Sequence, residues 1–442
     1  MHDLIRNMMK GKRVLLLGFG REGQVSYQVI RQALPGQRLI VADGNEKIRD
    51  HELLRGDPDI DFQVGPGYLD GLDRFDLIVK SPGITLKDIV PAVDPARITS
   101  QTDLFLRKYS RQIIGVTGTK GKSTTSSLIY HILNNTGVES LLLGNIGTPA
   151  FHFLDKITPS TTIVFELSSH QLQYVICSPH IAILLNLYQE HLDAYRSFLE
   201  YQLAKMNITR FQQEGDYFIY NSDDQIVAGH AAAFRKRQTL IPFSLSEVRD
   251  PVLGHLHNRY LRGDHNRMNA MAAVKACRLC GLADDDIAEG LDSFKGLAHR
   301  MEYAGRYHGI DFYNDSIATI PEACMAAVRA IPGVDTLILG GFDRGISYDG
   351  LAQFLVQSEV STFILTGMAG ERIAQAMEAV GIQGKRLIRI HRFDDFAGYA
   401  VKYTRPGHVC LLSPAAASYD EFRSFEERGM RFTELISKAE NT

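Results

Sequence analysis

The chain is short of cysteine, of clustered charge and of long apolar runs, and each shortage closes off a class of protein. Five cysteines in 442 residues, Cys177, Cys277, Cys280, Cys324 and Cys410, are too few and odd in number for a disulfide framework, and they indicate a reducing compartment. Cys277 and Cys280 share a helical pattern with no second pair and no nearby histidine, which reads as a packed helix face rather than a zinc site. Lysine and arginine number 48 against 51 acids and are scattered singly, so neither nucleic acid nor a membrane surface is an expected partner. No apolar stretch approaches a bilayer span, and the opening Met1-His-Asp-Leu-Ile-Arg6 is too polar for a signal peptide. A cytoplasmic monomer is the expectation. Internal repeats and low-complexity linkers are lacking too. What remains is 45% hydrophobic residues, which over this length suits about three domains with their own cores.

The most informative stretch is Gly115-Val-Thr-Gly-Thr-Lys-Gly-Lys-Ser-Thr-Thr125. An apolar β-branched run precedes it and an amphipathic pattern follows it, so the order is strand, glycine loop, helix. Such a loop cradles phosphate. Gly118 and Gly121 let the backbone of Thr119 and Lys120 approach an anion, Lys122 adds a full charge, and the hydroxyl of Ser123 or Thr124 suits Mg²⁺. Val116 stands where the strict motif has glycine, so this is a variant P-loop.

Upstream, Gly18-Phe19-Gly20 opens a G-x-G-x-x-G turn after the run Arg13-Val-Leu-Leu-Leu17, and Asp43 closes the next apolar run, a spacing suited to a nucleotide diphosphate and its ribose. Ser81-Pro-Gly83 follows another predicted strand, where it serves either as a plain turn or as a ligand loop. The first domain boundary is expected between residues 95 and 110. Downstream of the P-loop, Glu166 ends a predicted strand, where a Mg²⁺ ligand is needed. His191, taken alone, reads as an ordinary satisfied histidine, and Lys205, on a helix predicted from Ser197 to Phe211, as a snorkelling surface lysine. Strand and helix patterns alternate again to the C-terminus, and Ser418 with Glu421 forms a capping-box pattern. The fold class is α/β.

Thr117-Gly-Thr-Lys-Gly-Lys-Ser-Thr-Thr125, Phe165-Glu-Leu-Ser-Ser169 with Gln171, Asn186, His191-Leu-Asp193, Lys205, Gly263-Asp-His-Asn-Arg-Met-Asn269 and His299-Arg-Met-Glu302, taken in this order, resemble the Mur ligase family of ATP-dependent amide-forming enzymes. The resemblance implies an N-terminal Rossmann-like UDP-binding domain (1–105), a central P-loop ATPase domain (106–298) and a C-terminal Rossmann-like domain that binds the amino acid (299–442). It implies ATP held by Gly118 to Thr124, Asn269, Arg300 and Asp315, and two Mg²⁺ sites from Ser123, Glu166, His191 and Lys205. Lys205 is then carbamylated, an anion in place of a cation, and Lys122, Glu166, His191 and Lys205 form the catalytic set. Gly18, Phe19, Gly20, Asp43, Ser81, Gly83 and Asn145 would hold the UDP part of the substrate.

Within the family the pattern is nearest the branch that adds glutamate to UDP-N-acetylmuramoyl-L-alanine through an acyl phosphate, in peptidoglycan precursor synthesis. The amino-acid site would comprise Thr319, Arg344, Ser418 and Phe425. Three departures mark that site: Ile317 and Ile320 replace a lysine and an asparagine of the family segment, and Arg344 stands near the place of a second lysine. D-glutamate is the expected substrate, with L-glutamate, used by a divergent group that the segment Asn314 to Glu322 also resembles, as the alternative. A folylpolyglutamate synthetase is disfavoured by the full domain ahead of the P-loop. A non-catalytic binding paralogue is the contrasting class, and an NAD enzyme built on Gly18 to Asp43 a remote one.

Overall fold

A computed structural model of the chain describes residues 1–89, 93–144, 148–190, 193–233, 237–247, 250–254, 258, 260–261, 263–382 and 384–439. It divides into two compact units, Met1–Phe294 and Lys295–Thr442. Among the described residues the strands form three sheets, two in the first unit and one in the second. No helix among these residues is long and apolar enough to cross a membrane.

In the first sheet β1 (Val14–Leu17) lies between β2 (Leu39–Asp43) and β4 (Leu77–Lys80), with β3 (Ile60–Val64) beyond β2 and β5 (Ile98–Thr99) beyond β4, all parallel. The pleat alternates. Val14 and Leu16 enter one apolar cluster and Leu15 and Leu17 another, so the strand is buried on both faces and reads as a continuous apolar run. The second sheet is built on β6 (Ile113–Thr117), flanked by β8 (Thr162–Glu166) and β9 (Ile181–Leu184). Outside them lie β7 (Ser140–Gly144) next to β8, then β10 (Tyr217–Asn221) and β11 (Thr239–Phe243) beyond β9, again all parallel. Parallel strands bring their C-terminal ends to one edge, which is where the glycine turns after β1, β4 and β6 lie.

The helix Gln101–Tyr109 joins the two sheets. Its Gln101 Nε2 donates to Ser26 Oγ at 3.1 Å, its buried Asp103 accepts from the Ile176 N–H at 3.0 Å, and Phe105 meets Phe165 edge-on at 5.5 Å. Residue 105 therefore falls inside a helix that serves both sheets, and one apolar cluster, from Ile5 to Ala231, runs through both.

In the second unit β14 (Val334–Gly340) is buried along its whole length between β15 (Thr362–Thr366) and β17 (Val409–Leu412). β16 (Arg386–Ile390) and β13 (Ile310–Asn314) complete the parallel part, and β12 (Glu302–Tyr307) adds an antiparallel edge. These are the alternating elements expected of an α/β chain.

Close approach of the helix Arg21–Ala33 to the end of β1 depends on Gly23. A Cβ there would collide with the Gly18 carbonyl and stand 3.4 Å from Ser81 Oγ. Gly23→Ala is expected to destabilise the first unit by about 1–3 kcal/mol through overpacking, read as a lower urea midpoint; an unchanged midpoint would refute the tight approach.

Candidate active site

The turn between β6 and the helix Lys122–Asn135 is a glycine cradle held from several sides. Gly121 has φ 87° and caps the helix in the left-handed region, where a side chain would also collide with Asn269 Oδ1. Asn269 thus touches the loop from the helix Asp264–Leu279. Asn186 pins the other side: its carbonyl accepts from the Thr119 N–H at 2.9 Å, its Oδ1 from the Lys120 N–H at 2.8 Å, and its Nδ2 donates to the Lys120 carbonyl at 3.0 Å. The Lys120 ammonium pairs with Glu190 at the rim. Lys122 Nζ lies over the loop, donating to the carbonyls of Gly118 at 3.0 Å and Thr119 at 2.9 Å. Ser123 and Thr124 follow in the first helical turn, both half-buried.

Two further groups converge there. Glu166 ends β8 opposite Val116 and is 1% exposed. Lys205, in the helix Phe198–Arg210, is only 2% exposed, so it is no surface lysine: its Nζ donates to the Gly118 carbonyl at 2.8 Å and to Thr117 Oγ1 at 3.3 Å, 5.1 Å from the centre of the Tyr201 ring. Burial, reinforced by the Lys122 charge, drives its pKa well below the usual lysine range, against an opposing pull from Glu190 and Glu166. Tyr201 shares a 2.9 Å hydrogen bond with Thr119 Oγ1, so one helix carries both the amine and a prop for the loop.

At the ends of β1 and β4 a cavity of about 420 Å³ is lined by Gly18, Gly20, Asp43, Ser81, Gly83 and Gly144, together with Glu22 and Gln171. Asp43 stabilises the first turn, accepting from the Phe19 and Asn45 N–H groups, each at 2.8 Å. Ser81 Oγ donates to the Gly18 carbonyl at 2.9 Å and so ties the two turns together. The Phe19 ring is buried between Tyr27 and His51 and takes no part in the lining. Asn145 and His191 lie outside the described residues.

In the second unit Asp315 follows β13 and is buried. Ser413 Oγ donates to it at 2.8 Å and the Met301 N–H at 3.1 Å, yet burial pushes its pKa up to about 6. Arg300 is exposed between His299 and Met301, whose φ values of 61° and 44° are left-handed for side chains that rarely adopt them. Arg344 reaches Thr319, donating from Nη2 to its carbonyl at 2.7 Å, and Phe425 meets the His299 ring edge-on at 6.5 Å. Ser418 is buried but is no helix cap. The helix begins at Phe425, Ser424 Oγ accepts from the Glu427 N–H at 3.4 Å, and the Glu421 carboxylate is engaged by the Phe393 N–H instead. Sequence spacing alone does not choose between two S-x-x-E patterns six residues apart.

The chain matches the Mur ligase middle domain over residues 116–277 and the Mur ligase, glutamate ligase domain over 299–416. It is 34% identical over 451 residues to the UDP-N-acetylmuramoylalanine--D-glutamate ligase of Geobacillus kaustophilus (strain HTA426), covering 97% of this chain and 98% of that one. This chain belongs to the Mur ligase family. The ligase of the same name from Symbiobacterium thermophilum is 35% identical, with 96% and 97% covered. A MurF ligase from Thermotoga maritima, solved in complex with ADP, shares the fold with a TM-score of 0.53 at 16% identity over 100% of this chain and 99% of that one.

Within this Mur ligase, sequence reading passed over Arg428, the largest fully buried side chain. Its guanidinium donates to Ser316 Oγ and the carbonyls of Ser316, Ala416 and Ala417 at 2.9–3.2 Å, binding together the loops that carry Ser418 and Asp315, and burial lowers its pKa to about 10. An arginine in a helix of mixed charge gives no signal of this.

Asp315 yields a pH prediction. A carboxyl raised to about 6 contributes stability below the ordinary aspartate range and loses it as pH rises through 6. Asp315→Asn should stabilise the chain at pH 7 by about 1–3 kcal/mol, with the gain vanishing below about pH 4, as read from urea midpoints across pH; a gain that persists at low pH would contradict the shift.

Proposed function

We propose that this Mur ligase adds D-glutamate to UDP-N-acetylmuramoyl-L-alanine with cleavage of ATP to ADP, in peptidoglycan precursor synthesis, and that residues 1–105, 106–298 and 299–442 are its UDP, ATPase and amino-acid domains. The observation that carries the reading is the Lys205 amine, buried against the Gly118 carbonyl of the P-loop. An ammonium there would be costly, whereas an uncharged amine is a nucleophile. Attack of its lone pair on CO₂, with loss of one N–H proton, gives a carbamate and turns the position from basic to anionic.

The donor set fits magnesium. Glu166 offers a buried carboxylate and Ser123 a hydroxyl beside the loop, both hard oxygen donors, and the Lys205 carbamate adds a third. Among the described residues no cluster of three His, Cys, Asp or Glu could hold a metal, in keeping with an ion that takes few protein ligands and retains water and phosphate oxygens. Glu166, Ser123, His191 and carbamylated Lys205 are proposed as the ligands of two ions, which when bound neutralise the γ-phosphate. Lys122 and the loop N–H groups orient the β- and γ-phosphates. The alanyl carboxylate attacks the γ-phosphorus, breaking its bond to the β-γ bridging oxygen and leaving ADP. The glutamate amine then attacks the acyl phosphate carbon and phosphate departs. Positioning and electrostatics carry the rate, since no protein atom becomes covalently bound to substrate.

Asn269, Arg300 and Asp315 are assigned to the nucleotide, and Thr319, Arg344, Ser418 and Phe425 to glutamate. Gly18, Gly20, Asp43, Ser81, Gly83, Asn145 and the backbone of Phe19 are assigned to UDP. Arg344 presents a bidentate fork where lysine presents a point charge, which suits a carboxylate. Ile317 and the exposed Ile320 favour L-glutamate as the second reading.

Phosphate release from ATP with UDP-N-acetylmuramoyl-L-alanine should require D-glutamate and should not occur with lysine or without amino acid. Release with L-glutamate alone would replace the stereochemistry, and release with none would refute the ligase. Lys205→Ala should lose about a hundredfold or more in rate, with partial recovery on adding a small carboxylate such as formate; a fully active variant would refute the role of Lys205.

A further inference from the structure

Behind the nucleotide cavity lies a small chamber that the proposed chemistry leaves unused. Lys80, the last residue of β4, is 3% exposed within it, beside Glu22, His170, Gln171 and Tyr174; Glu22, Pro82 and Gln171 border both spaces. Lys80 Nζ donates to the Ser81 carbonyl at 3.2 Å and lies 5.7 Å from the centre of the Tyr174 ring. One carbonyl and one aromatic face compensate poorly for burying an ammonium.

The acid that offsets it is Glu22, in the first turn of the helix Arg21–Ala33. Glu22 Oε1 accepts from Gln171 Nε2 at 3.3 Å, while its buried Oε2 has no hydrogen-bond partner. A carboxylate between a diphosphate turn and a buried cation is an odd arrangement, since it would repel the ligand that the turn is shaped for. It makes sense as a resting counter-ion. The diphosphate and Glu22 then compete for one positive charge.

We propose that Lys80 is the positioning cation for the diphosphate in the nucleotide cavity and that Glu22 is the internal anion which the diphosphate replaces as its electrostatic partner. The inference rests on the reading of this cavity as the UDP site. The diphosphate gains a charge in a low-dielectric wall behind the Ser81-Pro-Gly83 turn, where screening by solvent is weak. The groups facing Lys80 are Glu22 from the helix after β1, His170 and Tyr174 from the segment after β8, and the uncharged Ser100, which caps the helix after β5, and Thr102 in its first turn. Burial sets the Lys80 pKa at about 8 against the pull of Glu22, so the free protein loses this charge as pH rises through that value.

The test is the ratio of affinities for UDP and uridine, measured by calorimetry on the full chain. At pH 7 the wild type should prefer UDP, Lys80→Met should lower the preference about tenfold or more, and Lys80→Arg should restore most of it; Glu22→Gln, which removes the acid that holds the Lys80 pKa up, should leave the preference equal or larger at about pH 6 and move its loss to lower pH. Above pH 8 the preference should fall in the wild type and stay flat in Lys80→Met. A Lys80→Met ratio equal to that of the wild type overturns the proposal, as does a Glu22→Gln loss at about pH 6 as large as that of Lys80→Met, which would make the pair merely structural. A wild type that does not bind UDP overturns it too. A Lys80-dependent preference in a protein that forms no product from UDP-N-acetylmuramoyl-L-alanine and D-glutamate would uphold the inference and refute only the substrate reading.

Discussion

The contact on which the central part of the molecule depends is the hydrogen bond from Lys205 to the carbonyl of Gly118. It places an amine in a space where a full charge is expensive, beside the second cation Lys122 and within the influence of Glu166 and Glu190. Everything around it follows from that constraint. The loop must turn at Gly118 for its carbonyl to face the helix, Thr117 must end its strand with a hydroxyl directed at the same nitrogen, and Tyr201 must stand one turn earlier to prop Thr119 and shield the amine. A side chain that would otherwise be a poorly tolerated buried cation is thereby pushed towards its uncharged amine form.

The same economy recurs elsewhere in the chain. Arg428 is buried among carbonyl oxygens and a serine hydroxyl, Asp315 is buried with two donors and a raised pKa, and Lys80 is buried behind the Ser81-Pro-Gly83 turn. Each lies at or behind the C-terminal end of a parallel strand, where backbone polar groups are unpaired and glycine turns leave room for ligand. The core strand β1 is apolar throughout by contrast. Stability is supplied in the middle of the sheets and partly given up at their ends, a division expected of a binding protein whose sites need charge out of water.

Much of this was legible in the sequence because local patterns there agree with the fold. The runs before Gly18 and Gly118, the acid ending β2, Glu166 ending β8 and the serine at 197 capping its helix each follow from hydrophobic period and turn chemistry. Lys205 was not legible from its own surroundings, since a lysine among Leu203, Ala204 and Met206 reads as a surface residue, and only the ordered set of motifs identified it. Ser418 was misread as a cap because two neighbouring S-x-x-E patterns compete and tertiary contacts of Glu421 decide between them. Arg428 and the Lys80–Glu22 pair were invisible, because their meaning lies in groups many residues away. The helix Gln101–Tyr109 illustrates the same limit: its residues look like the end of one domain, yet its side chains bind two sheets.

The most direct test of this account is whether the Lys205 amine carries CO₂. The full chain, incubated with isotope-labelled bicarbonate near neutral pH, should show one enriched carbamate resonance by carbon nuclear magnetic resonance, and Lys205→Ala should lack it. A wild type without that resonance, or a variant that retains it, would contradict the claim that burial against the P-loop holds Lys205 as an uncharged nucleophile.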